Sequence, residues 1–179
     1  MASVYYVTIK LDPHYQRFLR SHFSCESEVF EFPSRHRFNT ILEHFVVTRP
    51  CGYTEPEPGA SVFKIALPHF EYKNEAHFRY LTHVKETIFK AKVKEFYDWI
   101  IQERISKLMK QPEKRDDGAL IALDRQQCTL ILIEEYGFDS CDNDSFDRLY
   151  KLFTRYKKKE VNRRFFVKKK GEVASFRSQ

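Results

Sequence analysis

The chain has 179 residues, of which 42% are hydrophobic, 31% charged and 16% aromatic, with a net charge of +6. That length allows one domain, or one domain with an appendage, and the composition excludes a wholly disordered chain. The five glycines, at positions 52, 59, 118, 137 and 171, stand far apart. They spell no GxGxxG, GxxxxGK[ST] or GxSxG, which excludes dinucleotide folds, P-loop NTPases and α/β-hydrolases.

Residues 4–11 alternate, with Tyr5, Val7, Ile9 and Leu11 on one side, and predict a half-buried strand. Asp12-Pro13 predicts a helix start, as cap and first helical residue, running to about Phe23 with Phe18 and Leu19 inward. A second strand is expected over 28–32, presenting Phe30 and Phe32. Ser34 is then expected to cap a helix of about 35–46, with Phe38, Ile41, Leu42 and Phe45 on its apolar face. The run RPCGYTEPEPG (49–59) is a loop, and Phe63, Ile65 and Leu67 mark a strand over about 61–67.

Residues 75–110 repeat apolar positions at steps of mostly three and four, from Phe78 and Leu81 to Ile105 and Leu108. Thirty-six residues of helix would span roughly 54 Å. Such a helix either bends around the core or projects and pairs with another subunit. QPEKRDDG (111–118) reads as a polar linker. A helix of about 119–136 follows, with a possible restart at Asp124 and a stop at Gly137. TLILI (129–133) is open to a strand reading, but EEYG carries it on as helix into the glycine stop. Asp144 and Asp147 predict the start of a last helix, about 145–160.

The charge is uneven along the chain. Residues 148–177 hold 12 basic and two acidic side chains, net +10, whereas the remaining 149 residues hold 19 basic and 23 acidic, net −4. On the last helix, Phe146, Leu149, Tyr150 and Phe153 are expected to face inward. Arg148, Lys151, Arg155, Lys158 and Lys159 are expected outward, with Asn162 and Arg163 extending that face. A basic-faced helix after a helix and a loop is the arrangement of DNA-reading helices, although this loop is longer than usual. Cations of such a face meet phosphates, and Arg155 and Asn162 can also reach base edges. Arg164, Lys168, Lys169 and Lys170 continue the theme in RRFFVKKK, where two phenylalanines sit among cations. That pattern suits base stacking, or a short strand packing Phe165 and Val167 onto the body. The bland alternative for the whole region is a solvated charged face, and membrane-surface attraction ranks third.

Other chemistry is weakly signalled. The histidines at 14, 22, 36, 44, 69, 77 and 83 form no HxxxH or HxxH and lie at no ligand spacing from a cysteine, so no metal site and no cofactor is expected. They are expected on surfaces or at helix ends. Glu55, Glu57 and Lys64, or Glu71 and Lys73, would be the residues of a small metal-dependent nuclease. Cys25 with His22 or His36 lacks a third orienting group. The four cysteines form no CxxC, no leader sequence is apparent, and no apolar run reaches 18 residues. A cytoplasmic protein with reduced thiols and no membrane association is therefore expected.

The segment ILIEEYGFDSCDNDSFDRLYKLFTRYKKK (131–159) combines a helix end, an acidic loop and a basic helix. It resembles the C-terminal part of small phage and mobile-element proteins presumed to bind DNA, and the resemblance implies a DNA-binding role without a catalytic motif. The expected architecture is α+β: a small N-terminal sheet with covering helices, one long central helix, and a C-terminal helix-loop-helix with a basic tail. Residues 1–113 would form the body, 114–162 the basic-faced helical module and 163–179 the tail. The expected function is a non-enzymatic nucleic-acid-binding accessory or regulatory protein, for DNA more than RNA, with homo-oligomerisation through the long helix. A phage assembly factor or host-enzyme inhibitor is the alternative, and a small nuclease the third reading.

Overall fold

A computed structural model of the protein describes residues 5–70, 74–110, 112–114, 120–138 and 144–156. It is mixed α and β, as expected. The elements in order are β1 (Tyr6–Lys10), α1 (Pro13–His22), α2 (Arg37–Phe45), β2 (Val62–Ala66), α3 (His83–Leu108), β3 (Pro112–Lys114), β4 (Leu120–Ala122), α4 (Arg125–Glu135) and α5 (144–156). Two compact units are present, Met1–Tyr97 with Tyr136–Phe138, and Asp98–Glu135 with Asp139–Gln179.

In the first unit β1 and β2 pair antiparallel, with Tyr6 opposite Ala66 and Lys10 opposite Val62. Their inward residues Val7, Ile9, Phe63 and Ile65 are buried, as strand alternation requires. The strand expected over 28–32 is reduced to one parallel bridge between Phe30 and Ile65. Phe30 and Phe32 are nonetheless buried, although the ladder does not extend beyond that bridge. Asp12 caps α1, its carboxylate accepting from the His14 amide at 2.9 Å. The cap of α2 is His36, not Ser34: Arg35 takes a left-handed φ of 66°, and the His36 ring Nδ1 accepts from the Phe38 amide at 3.4 Å.

The interior of this unit is aromatic. Phe30 meets Phe32 edge to face at 4.8 Å, Phe32 stacks on Phe38 at 4.8 Å, and Phe18 meets Tyr97 edge to face at 5.0 Å. Such pairs contribute about 0.5–1.5 kcal/mol each beyond their buried area. The long helix is shorter than its apolar period implied. Tyr80 bridges to Val47, so α3 begins only at His83, after Thr82 Oγ1 accepts from the Lys85 amide at 3.4 Å. Glu86, in its first turn, accepts from the Lys10 amide at 3.0 Å and pairs with Lys90 at 2.6 Å.

The second unit buries Ile101, Ile105 and Leu108 of α3, Cys128, Thr129, Leu132 and Ile133 of α4, and Ser145, Leu149, Leu152 and Phe153 of α5. Residues 112–114 and 120–122 pair as two antiparallel strands, where the sequence pointed to a linker and the start of a helix. Helix starts instead at Arg125. Asp124 Oδ1 accepts from the Gln127 amide at 2.8 Å, and Gln127 Oε1 accepts from the Asp124 amide at 2.9 Å. This reciprocal cap marks the restart expected at Asp124. TLILI is helical, and Gly137 follows α4 with φ 61°.

Candidate nucleic-acid interface

Only part of the expected basic surface falls among the described residues: Arg148, Lys151 and Arg155 on α5. Lys158, Lys159, Asn162, Arg163, Arg164, Lys168, Lys169 and Lys170 lie outside them, as does the tail over 163–179. Arg148 pairs with Asp144 at 2.6 Å and Lys151 with Asp147 at 3.5 Å, both at i,i+4 spacing. The two acids expected to act as helix caps therefore place carboxylates beside the cations. Arg155 is exposed and has no acidic partner among the described residues.

The inward face of α5 is displaced from the expected one. Ser145, Leu149, Leu152 and Phe153 are buried, while Phe146 is half-buried and Tyr150 is 37% exposed. Positions 145, 149 and 152/153 follow helical periodicity as closely as 146, 150 and 153. The stripe centres on Leu149, and Phe146 and Tyr150 form its border. Their rings stack on each other, 5.9 Å between centroids and 17° between planes.

Beside them is an open cleft of about 680 Å³, lined by residues of α5 and by the first residues of α4. Arg125 reaches into it. Its guanidinium lies 5.0 Å from the Tyr150 ring centroid and 5.9 Å from that of Phe153. Its Nη1 donates to Tyr150 Oη at 3.2 Å and to Thr154 Oγ1 at 3.4 Å. No carboxylate pairs with Arg125 among the described residues, unlike Arg104, which pairs with Glu135 at 2.8 Å. Arg125 and the outward set of Tyr150 carried no signal in the sequence, because they meet across 25 residues.

The residues of the nuclease reading line a cleft of about 470 Å³ in the first unit, where Glu55, Glu57, Glu28 and Lys64 come together. Lys64 is held by Glu28: that bond keeps the Glu28 carboxyl below its usual range and raises the Lys64 ammonium. Glu55 pairs with Arg49 at 3.4 Å. Among the described residues no group of three or more His, Cys, Asp or Glu is placed to hold a metal ion. Glu71 and Lys73 lie outside the described residues. Cys25 Sγ is 3.3 Å from Ser27 Oγ, with neither histidine as its partner. Burial pushes this thiol up. Hydrogen bonds from Ser27 and the Glu31 backbone, with the Arg20 charge, outweigh it and leave the pKa below the usual value. As expected, His44, His69, His77 and His83 are exposed, and His14, His22 and His36 lie at helix ends, although His14 is buried there. No helix among the described residues is long and apolar enough to cross a membrane.

No protein-family model, curated protein or solved structure matches the chain.

Proposed function

We propose that this is a nucleic-acid-binding accessory or regulatory protein of a phage or mobile element, acting on DNA in preference to RNA in the cytoplasm. The observation that carries the reading is the charge division, +10 over residues 148–177 against −4 over the rest. A polyanion is the partner that rewards so dense a run of cations, because each phosphate neutralised releases a counter-ion. Asp144 and Asp147 compensate Arg148 and Lys151, so the weight of the interface falls on Arg155 and on the cations from Lys157 onward.

The test compares the full chain with a version ending at Tyr156. Ending it before Arg148 would also remove Leu149, Leu152 and Phe153 from the core of the second unit. The full chain should retain DNA with an affinity that falls steeply as salt rises, and the shortened chain should lose it. Equal retention by both would sink the reading.

A second reading, a protein-interaction factor or homo-oligomer, is favoured by two exposed residues one turn apart on α3: Val84, 66% exposed, and Ile88, 42% exposed. Light scattering of the full chain distinguishes it. A stable oligomer dispersed by Ile88→Lys, without nucleic-acid retention, would favour that reading.

A further inference from the structure

We infer that the cleft between α5 and the start of α4 is a binding site for an unpaired nucleobase of single-stranded DNA. The inference rests on the nucleic-acid reading above and gives it a definite ligand.

The cleft joins three kinds of group that a base requires. Its wall is aromatic: the rings of Phe146 and Tyr150 stack on each other, and Tyr150 remains 37% exposed although neighbouring Leu149 is fully buried. An exposed flat ring beside a cavity is a stacking platform, and every base offers a π-face to it. Its cation is Arg125, positioned by Tyr150 Oη and Thr154 Oγ1, with no carboxylate partner among the described residues. A guanidinium stacked over an aromatic ring is itself a planar platform and donor for bases and phosphates. Its rim carries hydrogen-bonding groups of both kinds, Asp124 accepting and the exposed Gln126 amide able to donate and accept.

These features discriminate among ligands. A bare phosphate or sulfate would meet the Asp124 carboxylate and gain nothing from the rings. A lipid chain would leave Arg125 and Asp124 without polar partners. A base uses all of them, since its edge bears amino and carbonyl groups and its faces are apolar. At about 680 Å³ the cleft falls within the size of small-ligand sites. In sequence, Tyr156 at the end of α5 is followed by Lys157, Lys158 and Lys159. In a duplex the bases are stacked inside and cannot enter.

The experiment uses the full chain, a fluorescent oligothymidylate, and a duplex of the same length. Tyr150→Ala and Arg125→Ala should each weaken single-strand binding about tenfold, as loss of a stacking contact does, and leave duplex binding nearly unchanged. Tyr150→Phe, which keeps the flat face but removes one of the two oxygens that position Arg125, should lose less than alanine does, and Tyr150→Leu, which keeps bulk without a flat face, should fail like alanine. Photo-cross-linking of a bromodeoxyuridine oligonucleotide to the unaltered chain should place the adduct on Tyr150 or Phe146, a readout that needs no variant to fold. If the unaltered chain binds single strands but the variants lose nothing, or the adduct maps elsewhere, the base site is wrong and the general reading survives. Equal loss on single strand and duplex likewise overturns the base site. If the unaltered chain binds neither oligonucleotide, both fall together.

Discussion

The imidazole of His14 and the phenol of Tyr97 meet inside the first unit, Nε2 to Oη 2.9 Å, across 83 residues of sequence. Both side chains are buried, His14 at 5% and Tyr97 at 2% exposure. The His14 ring also stacks on Phe138, 4.3 Å between centroids and 5° between planes. Three distant pieces of chain, α1, α3 and the residues after α4, thereby meet around this polar contact.

A buried hydrogen bond of this kind contributes modestly when made and costs more when half removed. Tyr97→Phe should therefore destabilise the chain by about 1–2 kcal/mol. His14→Leu should cost at least as much, because the stacking on Phe138 changes too. In a double-mutant cycle followed by urea unfolding, the two losses should couple by about 1 kcal/mol. Additivity within about 0.5 kcal/mol would show that the contact carries no stability of its own.

The ion pairs on α5 lead to a counter-intuitive expectation. Arg148 and Lys151 are shared with Asp144 and Asp147, so Arg148→Ala should change DNA affinity little. Asp144→Asn with Asp147→Asn should raise it severalfold, by removing two charges that repel phosphate and offset Arg148 and Lys151. The same double substitution should steepen the dependence of log affinity on log salt by about one to two. Its stability cost should be small, about 0.3–0.5 kcal/mol per pair lost. Tight DNA binding that collapses on Arg148→Ala and ignores the aspartates would contradict this placement.

What the sequence made legible was local. Asp12-Pro13 starts α1, the alternation of Val7, Ile9 and Leu11 survives as the buried side of β1 and its extension, and Asp124 restarts a helix that Gly137 follows. Each of these signals is complete within a few residues. The rest depended on partners far along the chain. Phe78 and Leu81 fit a helical period, yet the backbone of Tyr80 bonds to Val47 and delays α3. Phe30 and Phe32 read as one face of a strand, but only Phe30 finds a rung on β2. On α5 two overlapping apolar stripes fit the same sequence. Packing of Leu149 and Leu152 chose the one that leaves Tyr150 outward beside Arg125, so the candidate cleft was invisible from α5 alone.

Acid sensitivity should come from two histidines that share an aromatic setting. His22 packs edge-on against Phe23 and Phe96, and His36 stacks on Phe32 and also meets Phe23 and Phe96 edge-on. Burial holds the His22 pKa below its ordinary 6.5; burial, then the charges of Arg37 and His22, do the same for His36. In the unfolded chain these rings take up protons near the ordinary value, whereas in the fold they resist until lower pH. Over that window the unfolded state binds more protons, so stability must rise with pH and fall as acid is added. His36 adds a mechanism, because a protonated Nδ1 can no longer accept from the Phe38 amide that it caps. The melting temperature should therefore be level above the ordinary histidine range and drop as the pH falls below about 6.5. His36→Asn keeps a capping acceptor that does not titrate and should flatten part of that drop, and adding His22→Gln should flatten more of it. A melting profile whose acid limb is unchanged in the double variant would assign the sensitivity to other groups.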